Sequence, residues 1–369
     1  MNKNSKLLRL LAVLFAIVLI GAACGDDDDG DDAEPTETTP TETAAPVEDD
    51  MDEDEGGRLA AVIERGAVNC GVNDTLPGFG IVSADGANEG FDIDFCRVVA
   101  AAVLGDAAAV NYTPLDASQR FPTLQSGEID LLIRNTTWTA SRDGNEQANF
   151  LATTFFDGQG FMVRDDSPIQ SVADMSNTNI CVLQGTTTLL NLNSVLADMG
   201  VPFSPVEFQS NNELQPAFVA GQCEVWTSDA SQLAAFSATL DVGTRVLSDI
   251  ISKEPLGPVV ADGDTEWAQV VNWATMATIQ AEEFGITSSN IDDFADSENS
   301  NIRRFLGLPI EGEIAEVGLG LPTDFATQIV SQVGNYGEIY ERNLGPLGLE
   351  RGVNALWTDG GLMYVPPFR

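Results

Sequence analysis

The feature that most restricts the fold is an alternation of short apolar strands with amphipathic helices, and it runs through the middle of the chain twice. "AVNCGV" reads as a strand, followed by the loop "NDTLPGFG", the turn-rich "SADGANEG" and a helix in which Phe91, Phe95, Val98, Val99 and Ala102 recur at helical spacing. "AVNYTPL" and "IDLLI" then read as strands on either side of a short helix, "SQRFPTLQSG", ended by Gly127. Near Asn179 the pattern restarts, with "NICVLQG", "VEFQS" and "CEVWTSD" as strands and "TTTLLNLNSVLADMG" and "NELQPAFVAGQ" as helices. Strand and helix in alternation imply parallel sheets wound by helices, hence an α/β chain of two small lobes.

Two further segments tie the lobes together. "FFDGQGFMVR" leads from the first toward the second, and "ISKEPLGPVV" leads back. A chain that crosses twice makes a two-strand hinge with a cleft beside it. This assigns residues 57–156 and 255–369 to lobe 1 and residues 157–254 to lobe 2, with the helical "DTEWAQVVNWATMATIQAEEFG" completing lobe 1.

The N-terminal region reads differently. Lys3, Lys6 and Arg9 precede an apolar run over residues 10–20, too short to span a bilayer and of the length of a signal-peptide core. It ends in "GAAC", which looks like a bacterial lipobox with Gly21 where Leu, Val or Ile is usual. Residues 1–23 are therefore expected to be a signal peptide and Cys24 an acylated anchor. Residues 24–56 form an acidic tether, rich in Asp, Glu, Thr and Pro, that buries too little apolar surface to offset the entropy of ordering. The expected location is periplasmic or on the extracellular face of the plasma membrane, held by the lipid.

Charge and missing residue types exclude several functions. With 17 basic against 57 acidic residues the formal net charge is −40, which argues against nucleic-acid partners and, through self-repulsion, favours a monomer. There is no histidine, so Ser/His/Asp or Cys/His catalysis and histidine metal sites are excluded, and no cofactor, metal or catalytic residue is expected. Of the five cysteines, four remain beside Cys24, and in an exported chain they can form two disulfides in three ways. The pairing that keeps each bond inside one lobe is Cys70 with Cys96 and Cys181 with Cys223.

Ligands of open α/β sheets bind beyond the carboxyl ends of the strands, and this rule picks out the cleft residues. "RNTTWTASR" after "IDLLI" supplies Arg142, a planar fork matched to a carboxylate, with Thr137 and Thr139 as hydroxyl donors. From lobe 2, Gly185, Thr186, Thr187 and Thr188 open a helix whose free N–H groups favour an anion. Asp229, closing "CEVWTSD", offers a fixed negative charge for an ammonium. Donors for a carboxylate plus one acceptor for an ammonium describe the α-amino-acid head group. Asn73 and Asn135 complete the ligand set from the lobe 1 loops. Phe79 and Trp138 either wall a side-chain pocket or pack in the core, and Arg134 either reaches the ligand or pairs with an acid of the body.

These motifs, together with "GFDIDFCRVVAAAVLGDA", "CVLQGTTTLLNL", "VGNYGEIYERNLG" and "RGVNALWTDGGLMYVPPFR", resemble the general L-amino-acid-binding proteins of bacterial ABC importers. The resemblance runs from about Gly57 to Arg369 and includes a C-terminal extension that shorter polar-amino-acid-binding relatives lack. It implies a periplasmic-binding-protein fold of type II and the capture of L-amino acids for the permease subunits of an importer. The Thr-x-Thr-x-x-Arg pattern at Thr137, Thr139 and Arg142 then implies α-carboxylate binding. Thr187 and Thr188 match the second-lobe hydroxyls, and Asp229 the ammonium acceptor. Asn73 and Leu76 stand where relatives for cationic ligands place an Asp and an aromatic, which suits a broad range. A ligand-sensing module or a dehydratase-like enzyme on the same fold is the alternative.

Overall fold

The computed structural model describes residues 57–312 and 318–369. The expected signal peptide, Cys24 and the acidic tether lie outside the described residues. The strands in chain order are β1 (Val68–Val72), β2 (Thr75–Leu76), β3 (Gly80–Val82), β4 (Asn88–Glu89), β5 (Val110–Pro114), β6 (Leu131–Leu132), β7 (Ala148–Phe150), β8 (Phe155–Asp157), β9 (Gln159–Arg164), β10 (Thr178–Leu183), β11 (Phe203–Phe208), β12 (Val225–Asp229), β13 (Thr244–Val246), β14 (Glu254–Leu256) and β15 (Val259–Ala261). Ten of them form two five-stranded sheets in the orders β5-β1-β6-β15-β7 and β11-β10-β12-β9-β13, while β2-β3-β4 make a three-stranded sheet and β8 pairs with β14.

The sheets are mixed, which corrects the purely parallel expectation. β1 pairs in parallel with β5 and β6, and β10 with β11 and β12. The strands that enter from the crossings run the other way: β9 is antiparallel to β12 and β13, and β15 to β6 and β7. These strands arrive from the hinge and not from a helical crossover, so the geometry that forces parallel pairing does not apply to them. The hinge is the antiparallel pair β8 and β14, with Glu254 opposite Asp157.

Helices cover both sheets. The helix Phe91–Leu104 is buried almost all round and packs against the 19-residue helix Thr265–Glu283 and the helix Phe325–Gln332. It begins at Gly90, whose φ of 138° is one that side chains rarely adopt and where a Cβ would stand 2.2 Å from the Phe79 carbonyl oxygen. Around Phe91 gather Phe79, Phe95, Phe155, Tyr336 and Tyr340, in edge-on contacts with ring centroids 5.1–6.1 Å away. The C-terminal extension contributes to this core and reaches the hinge. Tyr336 donates its hydroxyl to the Thr154 carbonyl at 2.8 Å, and the Asn354 side chain bonds both the N–H and the carbonyl of Phe156 in β8.

One disulfide lies in each lobe, Cys70 to Cys96 and Cys181 to Cys223, with Cα atoms 6.2 and 5.6 Å apart. The first ties β1 to the helix Phe91–Leu104. The second ties β10 to the segment entering β12.

Candidate functional site

On the lobe 1 wall, the loop after β6 turns at Asn135, which sits in the left-handed region with φ 34°. Its backbone N–H donates to Asp92 Oδ2 at 2.7 Å, and its Oδ1 accepts from Asn73 Nδ2 at 3.1 Å. Asn73 is thereby committed to protein partners, since its Oδ1 also accepts from the Thr75 N–H. Asp92 is buried, and desolvation raises its pKa to about 7 against the Asn135 N–H and Arg134, which oppose the rise.

Three buried arginines share this wall. Arg142 lies in the short helix Ala140–Asn145, over the Phe121 ring at 5.4 Å, and donates from Nη1 to the Thr137 carbonyl at 2.9 Å. Arg134 donates from Nε to the Leu115 carbonyl and from Nη1 to Asn135 Oδ1. Arg120 bonds the Ala117 carbonyl, Thr136 Oγ1 and, across the cleft, the Gly185 carbonyl at 3.0 Å. Among the described residues no carboxylate lies within ion-pair distance of any of the three. Burial pulls all three guanidinium pKa values down, that of Arg134 to about 10, and for Arg120 the neighbouring arginines add to it.

On the opposite wall, β10 ends at Leu183 and the chain turns at Gly185, with φ 71°, where a Cβ would meet Ser118 of lobe 1 at 2.9 Å. Thr186 caps the helix Thr187–Asp198 by accepting the Leu189 N–H at 3.2 Å, as a threonine at that position does. Thr187 Oγ1 donates to Glu254 Oε2 at 2.9 Å and stands 3.3 Å from Thr137 Oγ1. The Thr188 carbonyl accepts from Gln159 at 3.0 Å. Asp229 closes β12 and accepts from Gln232 on the next helix. Burial raises its pKa well above the usual carboxylate range, the charges of Asp157 and Glu254 add to the rise, and Arg120 and Arg142 oppose it.

These walls line a narrow polar chamber of about 20 Å³. Of the residues singled out from the sequence, Asn135, Thr137, Arg142, Thr186, Thr187, Thr188 and Asp229 line it. Asn73 stands one step back, holding Asn135. Thr139 does not line it either: its hydroxyl caps the helix Ala140–Asn145 by accepting the Arg142 N–H at 3.2 Å, so it positions Arg142. Phe79 is core. Trp138 is 42% exposed, stacks on Phe150 and faces a different cavity. Arg134 also lines the chamber, and among the described residues it has no ion-pair partner.

Sequence reasoning missed Arg120, Ser228 and Gln232 in the lining and Glu254 behind it. Gln232 was within reach of it, because the third residue of a helix following a strand-end acid returns to that acid. Arg120 carried no comparable signal, since "SQRF" reads as an exposed helix start.

Two lobes on a double-stranded hinge, with strand-end loops from both closing on a small polar chamber, define the class of two-lobed solute-binding proteins. The model for bacterial extracellular solute-binding proteins, family 3, matches residues 68–286, and the chain belongs to that family. It is 48% identical to the general L-amino acid-binding periplasmic protein AapJ of Rhizobium johnstonii, over 84% of this chain and 92% of that one. To the glutamate/glutamine/aspartate/asparagine-binding protein BztA of Rhodobacter capsulatus it is 46% identical, over 84% and 93%. A solved structure of an ABC transporter periplasmic binding protein from Brucella ovis with glutathione bound superposes with a TM-score of 0.81 at 43% identity, covering 84% of this chain and 99% of that one.

Proposed function

We propose that this chain is the extracytoplasmic solute-binding component of an amino acid ABC importer, which captures L-amino acids of broad range between its lobes and delivers them to membrane permease subunits. The observation that carries this reading is the pairing of Arg142, whose Nε and Nη2 have no protein partner, with Asp229 across one enclosed chamber. An α-carboxylate takes the Arg142 fork, the Thr137, Thr187 and Thr188 hydroxyls and the N–H groups at the helix start. The ammonium takes Asp229. The names of AapJ and BztA support the ligand class. Asp229 is the one carboxylate among the described lining residues, and this reading commits it to the ammonium, which favours binding over the acid-base turnover of a dehydratase-like enzyme.

Calorimetric titration with small, acidic and aromatic amino acids tests the reading. Arg142→Leu and Asp229→Asn should each weaken every ligand by about 2–5 kcal/mol, the usual cost of stranding one partner of a buried charged pair, and leave the rank order intact. A variant that loses one side-chain class and keeps the others refutes the head-group assignment.

The same proposal includes the parts outside the lobes. Cleavage before Cys24 and acylation of that residue would anchor the chain, with residues 24–56 as a repelling spacer before the lobes at 57–156 with 255–369 and at 157–254. The net charge of −40 supports a monomer. Cys24→Ala should release the protein from washed membranes with ligand affinity unchanged, and sedimentation should give one chain per particle; membrane retention of the variant or a dimer overturns the respective claim.

A further inference from the structure

The chamber holds more positive charge than one amino-acid head group can use. Arg120 spends all three of its guanidinium nitrogens on protein acceptors, and one of those bonds joins the lobes. Arg142 keeps Nε and Nη2 for the ligand carboxylate. Arg134, 4% exposed, is moored at Nε by the Leu115 carbonyl and at Nη1 by Asn135 Oδ1, and its Nη2 has no protein partner. Asp116 and Asp92 ease its charge from a distance, but among the described residues neither reaches Nη2, and the Asp92 carboxylate accepts the Asn135 N–H instead.

An oriented guanidinium nitrogen short of a protein acceptor becomes costly once a bound ligand takes the place of its water. Once the head group has satisfied Arg142 and Asp229, that cost remains unless the ligand side chain brings an acceptor of its own. We propose that Arg134 is a specificity-determining residue that reads the far end of the ligand side chain, so that amino acids ending in a carboxylate or an amide carbonyl bind well ahead of aliphatic ones of equal length. Asn135 serves as its positioning residue. Its left-handed turn, fixed by Asp92, and its amide, fixed by Asn73, hold Oδ1 against Arg134 Nη1 and so aim Nη2. The inference rests on the amino-acid reading above and narrows it.

Titration of the wild-type chain with L-glutamate, L-glutamine and L-norvaline, which share one chain length, gives the first readout. Glutamate and glutamine should bind at least about 30-fold tighter than norvaline, the low end of what a stranded buried charge costs. Arg134→Met should remove that advantage, with norvaline holding or gaining affinity while glutamate and glutamine gain none, and Arg134→Lys should restore part of it for glutamate because the charge returns without the planar fork. Norvaline binding as tightly as glutamate to the wild type overturns the inference even if Arg134→Met does not fold. So does an Arg134→Met chain that weakens all three ligands alike. Failure of the wild type to bind any of the three sinks the amino-acid reading itself, and this inference with it.

Discussion

The two walls of the cleft carry opposite chemistry. Lobe 1 presents three buried guanidinium groups with no carboxylate of the described residues in ion-pair range, whereas lobe 2 presents a helix start, hydroxyls and the carboxylate of Asp229, with Asp157 and Glu254 behind it. The direct bonds between the walls are few and include Arg120 to the Gly185 carbonyl at 3.0 Å, the Thr137 and Thr187 hydroxyls at 3.3 Å, and Asn211 to Thr75 at 3.4 Å. Each wall is therefore poorly satisfied when water leaves. On the amino-acid reading proposed above, a zwitterion between them would supply both missing counter-charges, and its higher affinity for a closed form would drive closure.

The largest effects that bear on this comparison come from the disulfides, one under each wall. Replacing Cys181 and Cys223 by serine should cost about 3–4 kcal/mol of stability, and replacing Cys70 and Cys96 slightly less, since the closed loops span 42 and 26 residues and loop-closure entropy separates them by about 0.4 kcal/mol. Denaturant titration of the two variants checks it. A lobe 1 variant that loses more would mean that packing around Phe91, and not loop length, controls the difference.

A smaller effect probes the seam. Thr187→Val removes a donor from Glu254, which is 1% exposed and keeps Asn191 and Ser252, and it also removes the partner of Thr137. Ligand affinity should fall by about 1–2 kcal/mol for all amino acids, mainly through faster release. Thr137→Val removes only the longer bond of 3.3 Å and should cost less. Stopped-flow release rates that rank the two variants the other way would show that Glu254 does not depend on Thr187.

How far the site could be read in advance follows the same division. That Arg142 and Asp229 would line the cleft was legible because each ends or follows a strand that points there, while the roles proposed for them rest on their charge and on the family resemblance. Thr139 was legible as important but not in its role: three residues before Arg142 is also the spacing of a helix N-cap, and the cap is what the structure uses. The antiparallel entry of β9 and β15 was not legible, since "FFDGQGFMVR" and "ISKEPLGPVV" show apolar strands without showing direction. Glu254 was hidden for a related reason. It belongs to the hinge in sequence and reaches the helix start of lobe 2 only in three dimensions.

The smallest expected effect concerns protons on the lobe 2 wall, and its sign follows from the raised carboxylates. Asp157 has its pKa lifted to about 6, first by burial, with the opposing strand's Glu254 adding to it and the Ser231 hydrogen bonds resisting. Asp229 is raised too. A carboxyl group whose folded pKa exceeds its unfolded value stabilises the fold when protonated, and that contribution disappears as pH climbs through the folded value. The ligand-free chain should therefore lose stability from about pH 4 to about pH 6 as Asp157 ionises, and the raised Asp229 extends the loss to higher pH. A bound ammonium counters the gathered negative charge, so the stabilisation given by ligand should grow over that window, by about 1 kcal/mol for each pKa unit it reverses, and binding near pH 6 should release a fraction of a proton. Melting curves with and without ligand at pH 5, 6, 7 and 8 measure the first quantity. Titration in two buffers of different ionisation enthalpy measures the second. Binding heats independent of the buffer would mean that Asp229 is already fully ionised in the empty cleft, and that the three arginines of the opposite wall, not the ligand, supply its counter-charge.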